Sequence, residues 1–109
     1  MEIKTRDAGD VLVVTIQGRL DTNTTPSAQD ELNTLLTPDR ARVLINFEML
    51  EFISSAGLRM LLSVAKQLKA ANGELKVCAL NESVQEVFDI SGFSALLNVF
   101  GSEEEALSG

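Results

Sequence analysis

The chain has 109 residues, 45% of them hydrophobic, and its 16 acidic and 9 basic residues give a formal net charge of −7. This length suits one domain with a single core, and the hydrophobic content excludes a disordered chain. Without a lysine or arginine cluster, an acidic chain is a poor partner for nucleic acid or an anionic membrane, because both are bound through basic patches.

The first part of the chain predicts two strands and a helix. Residues 2–7 favour a weak edge strand, residues 8–10 a turn and residues 11–16 a buried strand rich in β-branched side chains. Thr25 predicts the N-cap of a helix with Pro26 at its first position. The apolar face of this helix comprises Ala28, Leu32, Leu35 and Leu36.

The next helix and its flanking strand follow. Pro38 and Asp39 are expected to end the first helix, and residues 43–47 predict a short strand that is covered on both faces. From Ala56 the apolar residues recur at helical spacing, and residues 72–73, Asn-Gly, predict the end of that helix.

The last third of the chain continues this alternation. Residues 75–80 predict a strand, and Ser83 with Glu86 predicts a capping box at the start of a helix. Residues 97–100 predict a short final strand, and residues 102–105 a second capping box. We therefore expect an α/β fold with a mixed, largely parallel sheet of about four or five strands and three or four helices. No linker or repeat divides the chain, so one domain is expected over residues 1–109.

Two adjacent serines, Ser54 and Ser55, stand where a buried strand meets an amphipathic helix. The free N–H groups and the dipole at a helix N-terminus favour negative charge, so the fold would tolerate a phosphate on either hydroxyl. A partner docked over this turn would respond to that phosphate. The alternative is that one of the serines is simply the N-cap of the helix.

The sequence gives little support for catalysis. It contains no histidine, which removes the usual general base, the Ser-His-acid triad and most transition-metal sites. Ser55 as a nucleophile would need a nearby base, but Lys66 stands eleven residues further on. That spacing is roughly 16 Å at ~1.5 Å rise per residue. We expect no enzyme activity, no catalytic residue, no metal and no cofactor.

The single cysteine, Cys78, lies in an apolar run and is expected to be a buried, inert thiol. The N-terminus lacks the apolar segment of a signal peptide, and no apolar run approaches the ~18 residues of a membrane span. A cytoplasmic protein without membrane insertion is therefore expected.

Five short sequence segments, distributed along the chain, have an order and spacing that can be compared with those of known families. They are Gly18-Arg19-Leu20-Asp21 with Thr24, residues 43–47, residues 52–58 (Phe-Ile-Ser-Ser-Ala-Gly-Leu), residues 72–75 with 77–78, and residues 87–93. Together they resemble the STAS family, the sulfate-transporter and anti-sigma-factor-antagonist domain, and most closely its free-standing bacterial anti-sigma factor antagonists. This resemblance covers nearly the whole chain and implies a STAS-like fold.

The resemblance implies that Ser55, two residues before Gly57, is the phosphoacceptor. Ser54 occupies a position that is Asp in the best-known members, and Ala56 the position of their second serine or threonine. A kinase that recognises the Asp before the phosphoacceptor would find Ser54 at that position in this chain. The residues expected to bind the partner are Asp21, Thr24, Ser54, Ala56, Gly57 and Arg59.

Two of these residues have a second interpretation. Asp21 would contact the partner or influence phosphorylation, or it would serve only in capping and turn hydrogen bonds. Arg59, one helical turn beyond Ser55, would pair with a partner carboxylate or the phosphate, or it is simply an exposed helix arginine.

The function implied is that of an anti-sigma factor antagonist, a monomer when free. Unphosphorylated protein would bind an anti-sigma factor that is also a serine kinase, and this binding would free a sigma factor. Phosphate on Ser55 would abolish the binding. A metal-dependent serine phosphatase would remove the phosphate and reset the switch. One alternative is a STAS subunit of a lipid-transport ABC system or a stress-signalling complex. Another is a serine-dependent enzyme, which the missing base disfavours.

Overall fold

The computed structural model describes residues 1–37 and 41–108. The elements are β1 (Glu2–Ala8), β2 (Val11–Leu20), α1 (Thr25–Leu35), β3 (Arg42–Asn46), β4 (Leu50–Ile53), α2 (Ser55–Ala70), β5 (Glu74–Cys78), α3 (Glu82–Ser91), α4 (Phe93–Leu96), β6 (Asn98–Phe100) and α5 (Glu103–Ser108). The α/β class and the mixed, largely parallel sheet are confirmed. Within the described ranges the six strands and five helices include two that the sequence did not predict, β4 and α4, because four residues are too few to show a period.

The strand order β1-β2-β3-β5-β6 positions the rest of the fold. β1 is antiparallel to β2, and the other neighbours are parallel. β2 is long enough to serve two partners: residues 12–15 pair with β3, and residues 18–20 pair with β4. The register shifts between Gly18 and Arg19, and Gly18 has a φ of +102°, which glycine adopts without strain. β2 and β4 therefore end side by side.

The core lies between one face of the sheet and helices α1, α2 and α3. Its largest fully buried side chains include Phe47, Phe88, Ile16, Leu20 and Leu61. On the opposite face α5 covers a smaller cluster of Val13, Leu44, Cys78 and Ala106. The predicted burial of Cys78 is confirmed, and burial raises the pKa of its thiol to about 11, with Glu103 and Glu48 adding to the shift.

The start of α1 differs from the prediction by one residue. The N-cap is Thr24, and Thr25 is already helical and buried. The Thr25 hydroxyl donates to the Asp21 carbonyl at 2.6 Å and does not cap the helix. Pro38 and Asp39, predicted to end this helix, lie outside the described residues, and α1 ends at Leu35.

The capping box predicted at Ser83 and Glu86 is wrong. α3 begins earlier, with Asn81 as its N-cap. The Val84 N–H donates to Asn81 Oδ1 at 2.8 Å, and Asn81 Nδ2 donates to the Leu50 carbonyl at 2.8 Å. The Asn81 amide thus caps the helix through its oxygen and joins the helix to β4 through its nitrogen.

The predicted end of α2 is confirmed, and one of the two hydrogen bonds of the capping box predicted at Ser102 and Glu105 is present. Ser102 Oγ accepts from the Glu105 N–H at 3.2 Å, although the Glu105 carboxylate reaches Gly101 and not Ser102 itself. At the end of α2, Asn72 is left-handed with a φ of +62°, and the Gly73 N–H donates to the Leu68 carbonyl at 2.7 Å, as in a Schellman motif. A Cβ on Gly73 would lie 1.8 Å from the Ala41 carbonyl oxygen, so the turn requires glycine.

Candidate functional site

The predicted site residues meet at one edge of the sheet because β2 and β4 are parallel neighbours. Leu20 lies in register with Ile53, so the loop that follows β2 and the start of α2 leave the sheet together. The Ser54 N–H donates to the Leu20 carbonyl at 2.8 Å and joins the two segments. This places the Asp21 loop beside the serine pair.

The two serines have different roles in the fold. Ser54 is the N-cap of α2, extended at φ −92° and ψ 173°, and its Oγ accepts from the Gly57 N–H at 3.3 Å. The N-cap interpretation is therefore confirmed for Ser54. Ser55 is the first helical residue and exposed, and its hydroxyl makes no hydrogen bond within the described part of the chain. The first turn of α2 carries no acidic side chain, so nothing in that turn offsets the positive end of the helix dipole at Ser55.

Gly57 lets α2 approach the ends of both strands. A Cβ at this position would lie 2.8 Å from Ile53 Cγ1 and 3.1 Å from Leu20 Cβ, closer than side chains tolerate. Gly57 is buried and Ala56 is half-buried. Of the residues predicted to bind the partner, Gly57 is thus the one that the packing itself requires.

Asp21 and Thr24 hold the loop after β2 in one conformation. Asp21 Oδ1 accepts from the N–H groups of Asn23 and Thr24, both at 2.9 Å. In return, Thr24 Oγ1 accepts from the Asp21 N–H at 3.0 Å and donates to the Arg19 carbonyl at 2.7 Å. The Thr24 N–H in particular keeps the pKa of Asp21 below its usual value. These hydrogen bonds are the ones expected if Asp21 serves in capping and turn hydrogen bonds.

Sequence reasoning missed the pairing of Arg19 with Phe52. These residues are opposite each other on β2 and β4, and the guanidinium lies 4.5 Å from the centre of the ring. Arg19 Nε is also 4.0 Å from Asp21 Oδ2. Both residues belong to segments of the family resemblance, but only the strand register brings them together. Phe52 is 37% exposed, so part of its ring faces solvent next to the start of α2.

Arg59 lies one turn beyond Ser55 and is exposed. Its guanidinium forms no ion pair with any residue that the structure describes, so it is available to a phosphate or a partner carboxylate. Over the same residues there is no group of three His, Cys, Asp or Glu side chains arranged to hold a metal ion. Nor do those residues include a helix long and apolar enough to cross a membrane.

Known proteins share both the sequence pattern and the fold. The model of the STAS domain family matches residues 2–106. BtrV of Bordetella bronchiseptica, named as a candidate anti-sigma factor antagonist, is 40% identical over 96 residues, which cover 88% of this chain and 83% of BtrV. The anti-sigma factor antagonist SpoIIAA in its unphosphorylated form has a TM-score of 0.81 at 23% identity, over 97% of this chain and 93% of SpoIIAA. The phosphorylated Bacillus SpoIIAA has a TM-score of 0.73 at 22% identity, over 98% and 97%. The two structural likenesses establish the fold.

Proposed function

Because the chain belongs to the STAS domain family, we propose that it is an anti-sigma factor antagonist whose binding is switched off by phosphorylation of Ser55. The observation that carries the switch is the position of Ser55. Its free hydroxyl lies at the positive end of α2, whose first turn carries no acidic side chain, beside the loop that Asp21 and Thr24 hold. SpoIIAA, a structural relative, has been described in both phosphorylation states, which supports the same kind of switch here.

In the unphosphorylated state, the edge formed by the Asp21 loop and the start of α2 binds the anti-sigma factor and so frees the sigma factor. Ser54, Ala56 and Arg59 contribute side chains to this surface. Asp21 and Thr24 act by holding the loop, and Gly57 acts by letting α2 seat against the strands. The proposed partner-binding residues are therefore those of the sequence prediction: Asp21, Thr24, Ser54, Ala56, Gly57 and Arg59.

Phosphorylation would change this surface without unfolding the protein. A phosphoserine carries about −1.5 to −2 charge, and a helix N-terminus stabilises negative charge. At the same time, a partner that packs against the neutral hydroxyl would have to desolvate the phosphate. The carboxylate of Asp21, whose pKa is lowered by the Thr24 N–H, lies at the same edge and adds to the negative charge.

The enzymes that write and erase the phosphate are separate proteins in this proposal. The chain has no histidine and no phosphate-binding glycine loop. The anti-sigma factor itself is the serine kinase, and a metal-dependent serine phosphatase resets the switch. The antagonist is a non-enzymatic, monomeric protein of the cytoplasm.

The test uses the purified anti-sigma factor kinase with ATP and mass spectrometry to locate the phosphate. We expect it on Ser55, and we expect Ser55→Ala to abolish it. Phosphate mainly on Ser54, or full phosphorylation of Ser55→Ala, would contradict the proposal.

Binding is measured by titration calorimetry with the same anti-sigma factor. Ser55→Ala should bind as wild type does, whereas Ser55→Glu and enzymatically phosphorylated protein should bind at least about tenfold more weakly. Ser108→Glu places the same charge on an exposed serine of α5, which covers the opposite face of the sheet, and should bind normally. Equal binding by phosphorylated and unphosphorylated protein would exclude the switch.

A further inference from the structure

An apolar groove lies between β4 and α3, close to the serine pair. It encloses about 300 Å³, room for side chains but not for a folded domain. The apolar residues that line it are Phe52 and Ile53 of β4 and Val84, Val87 and Ile90 of α3. Ile90 is 80% exposed, the most exposed large apolar side chain in the described part of the chain. A groove of this kind can receive the apolar side chains of a partner.

Among the apolar residues that line the groove, Phe52 and Ile90 expose much of their side chains. α3 contacts the core through Val84 and Phe88, which are buried. Val87, which is half-buried and also packs against the core, and the exposed Ile90 follow at a spacing of three residues and line the groove. An isoleucine that is so exposed contributes almost nothing to folding, so its hydrophobicity is available for binding.

The charges beside the groove are acidic along α3. Glu86 lines the groove, and Glu82 stands one turn before it on the same exposed side of the helix. None of the groove-lining residues that the structure describes is basic. The nearby Arg19 lies over the Phe52 ring and close to Asp21. A complementary partner would therefore present an apolar side chain with lysine or arginine beside it.

The groove adjoins the proposed partner-binding surface, which the Asp21 loop and the start of α2 form, since Ile53 lines the groove and the next residue is Ser54. We propose that it anchors the same partner by receiving an amphipathic helix, with an apolar side chain over Ile90 and Val87 and a basic side chain beside Glu86. This inference rests on the proposed function for the identity of the partner. Affinity then comes from the groove, and control of that affinity from Ser55.

The chemistry of the groove can be tested without the partner. Two synthetic helical peptides are prepared with the same face of leucines. Lysines flank this face in one peptide, and glutamates flank it in the other. Each peptide is titrated into the full chain, and NMR detects binding. We expect the lysine peptide to shift the methyl signals of Ile90 and Val87 and the glutamate peptide to leave them unchanged. Glu86→Lys should weaken or reverse that preference. Equal shifts with both peptides, or shifts confined to other residues, would overturn the inference.

The role in partner binding is tested with the purified anti-sigma factor. Ile90→Asp should reduce affinity at least about tenfold, and its exposure means that the fold survives, which a thermal melt checks. Leu96→Asp is the matched control, because Leu96 is 65% exposed but does not line the groove, and it should bind as wild type does.

The two proposals fail separately. Loss of binding in Ser55→Glu but not in Ile90→Asp would overturn the groove and leave the switch. The reverse pattern would support the groove and contradict the switch.

Discussion

At the scale of single residues, the conformation of the site depends on a few side chains that hydrogen-bond to the backbone. Asp21 is the clearest case, since one carboxylate oxygen accepts from two backbone N–H groups in the turn. An asparagine at this position retains the acceptor oxygen but lacks the charge, whereas an alanine lacks both. Comparing the two therefore separates the hydrogen bonds from the charge.

We expect Asp21→Ala to lower the thermal midpoint more than Asp21→Asn. The pKa of Asp21 is lowered in the folded state, so the contribution of its charge is present above the unfolded pKa of about 3.9 and is lost as the pH falls through the folded pKa. Thermal melts between neutral and acidic pH should show wild type and Asp21→Asn converging at the acidic end. A gap that stays constant with pH would contradict the role of the charge.

Gly57→Ala should destabilise the fold by about 1–3 kcal/mol, because the added methyl group meets Ile53 and Leu20 in a packed core. Urea unfolding measures the change. Gly101→Ala is the control, since its added Cβ would come no nearer than 3.4 Å to a flexible Glu105 side chain. It should stay within about 0.5 kcal/mol of wild type.

At the scale of elements, the start of α2 places a serine that caps the helix next to a serine whose hydroxyl is free. Ser54 caps the helix through its hydroxyl, and Ser55 makes no such bond. A phosphate on Ser55 therefore leaves the cap in place. The same modification on Ser54 would disturb the bond that begins the helix.

Ser54→Ala should lower the free energy of unfolding by about 0.5–2 kcal/mol, because the Gly57 N–H loses its acceptor. Ser54→Asp should recover most of this, since Asp is also a good N-cap. Ser55→Ala should have almost no effect on stability. Urea unfolding of the three variants checks the assignment, and equal losses at Ser54 and Ser55 would show that the capping role is misplaced.

At the scale of the whole molecule, the sheet is covered unequally. Helices α1, α2 and α3 bury one face, whereas on the other face the six-residue α5 contributes Ala106 to the small cluster around Cys78. An ion pair between Arg6 and Glu103 joins α5 to β1, and Asn46 Nδ2 donates to Glu103 at 3.2 Å. The accessibility of the Cys78 thiol therefore shows whether α5 is packed against the sheet.

Ala106→Glu should displace α5 and raise the rate at which a thiol reagent labels Cys78 at least about tenfold, because labelling requires an accessible thiolate. Burial and the raised pKa protect Cys78 in the wild-type protein. Ala95→Glu, at an exposed position of α4, is the control and should label at the wild-type rate. Equal labelling of wild type and Ala106→Glu would show that α5 is not the cover.

Much of the fold and part of the site were predictable from sequence, since both rest on local patterns. The apolar period of α2 and the β-branched run of β2 indicated these elements directly. The Ser54-Ser55 pair before Gly57 pointed to a helix start with a serine as its N-cap, and the structure has both there.

Tertiary structure alone decided the rest, because it depends on which strands lie side by side. β4 is too short to show a period, and it is a strand because the far end of β2 continues past β3 and offers it hydrogen bonds. That pairing sets Arg19 over Phe52 and lets Asn81 bond to β4, in place of the cap predicted at Ser83. The groove beside α3 arises in the same way. A sequence pattern records what each residue prefers locally, whereas a register between distant strands is set by the hydrogen bonds and packing of the whole sheet.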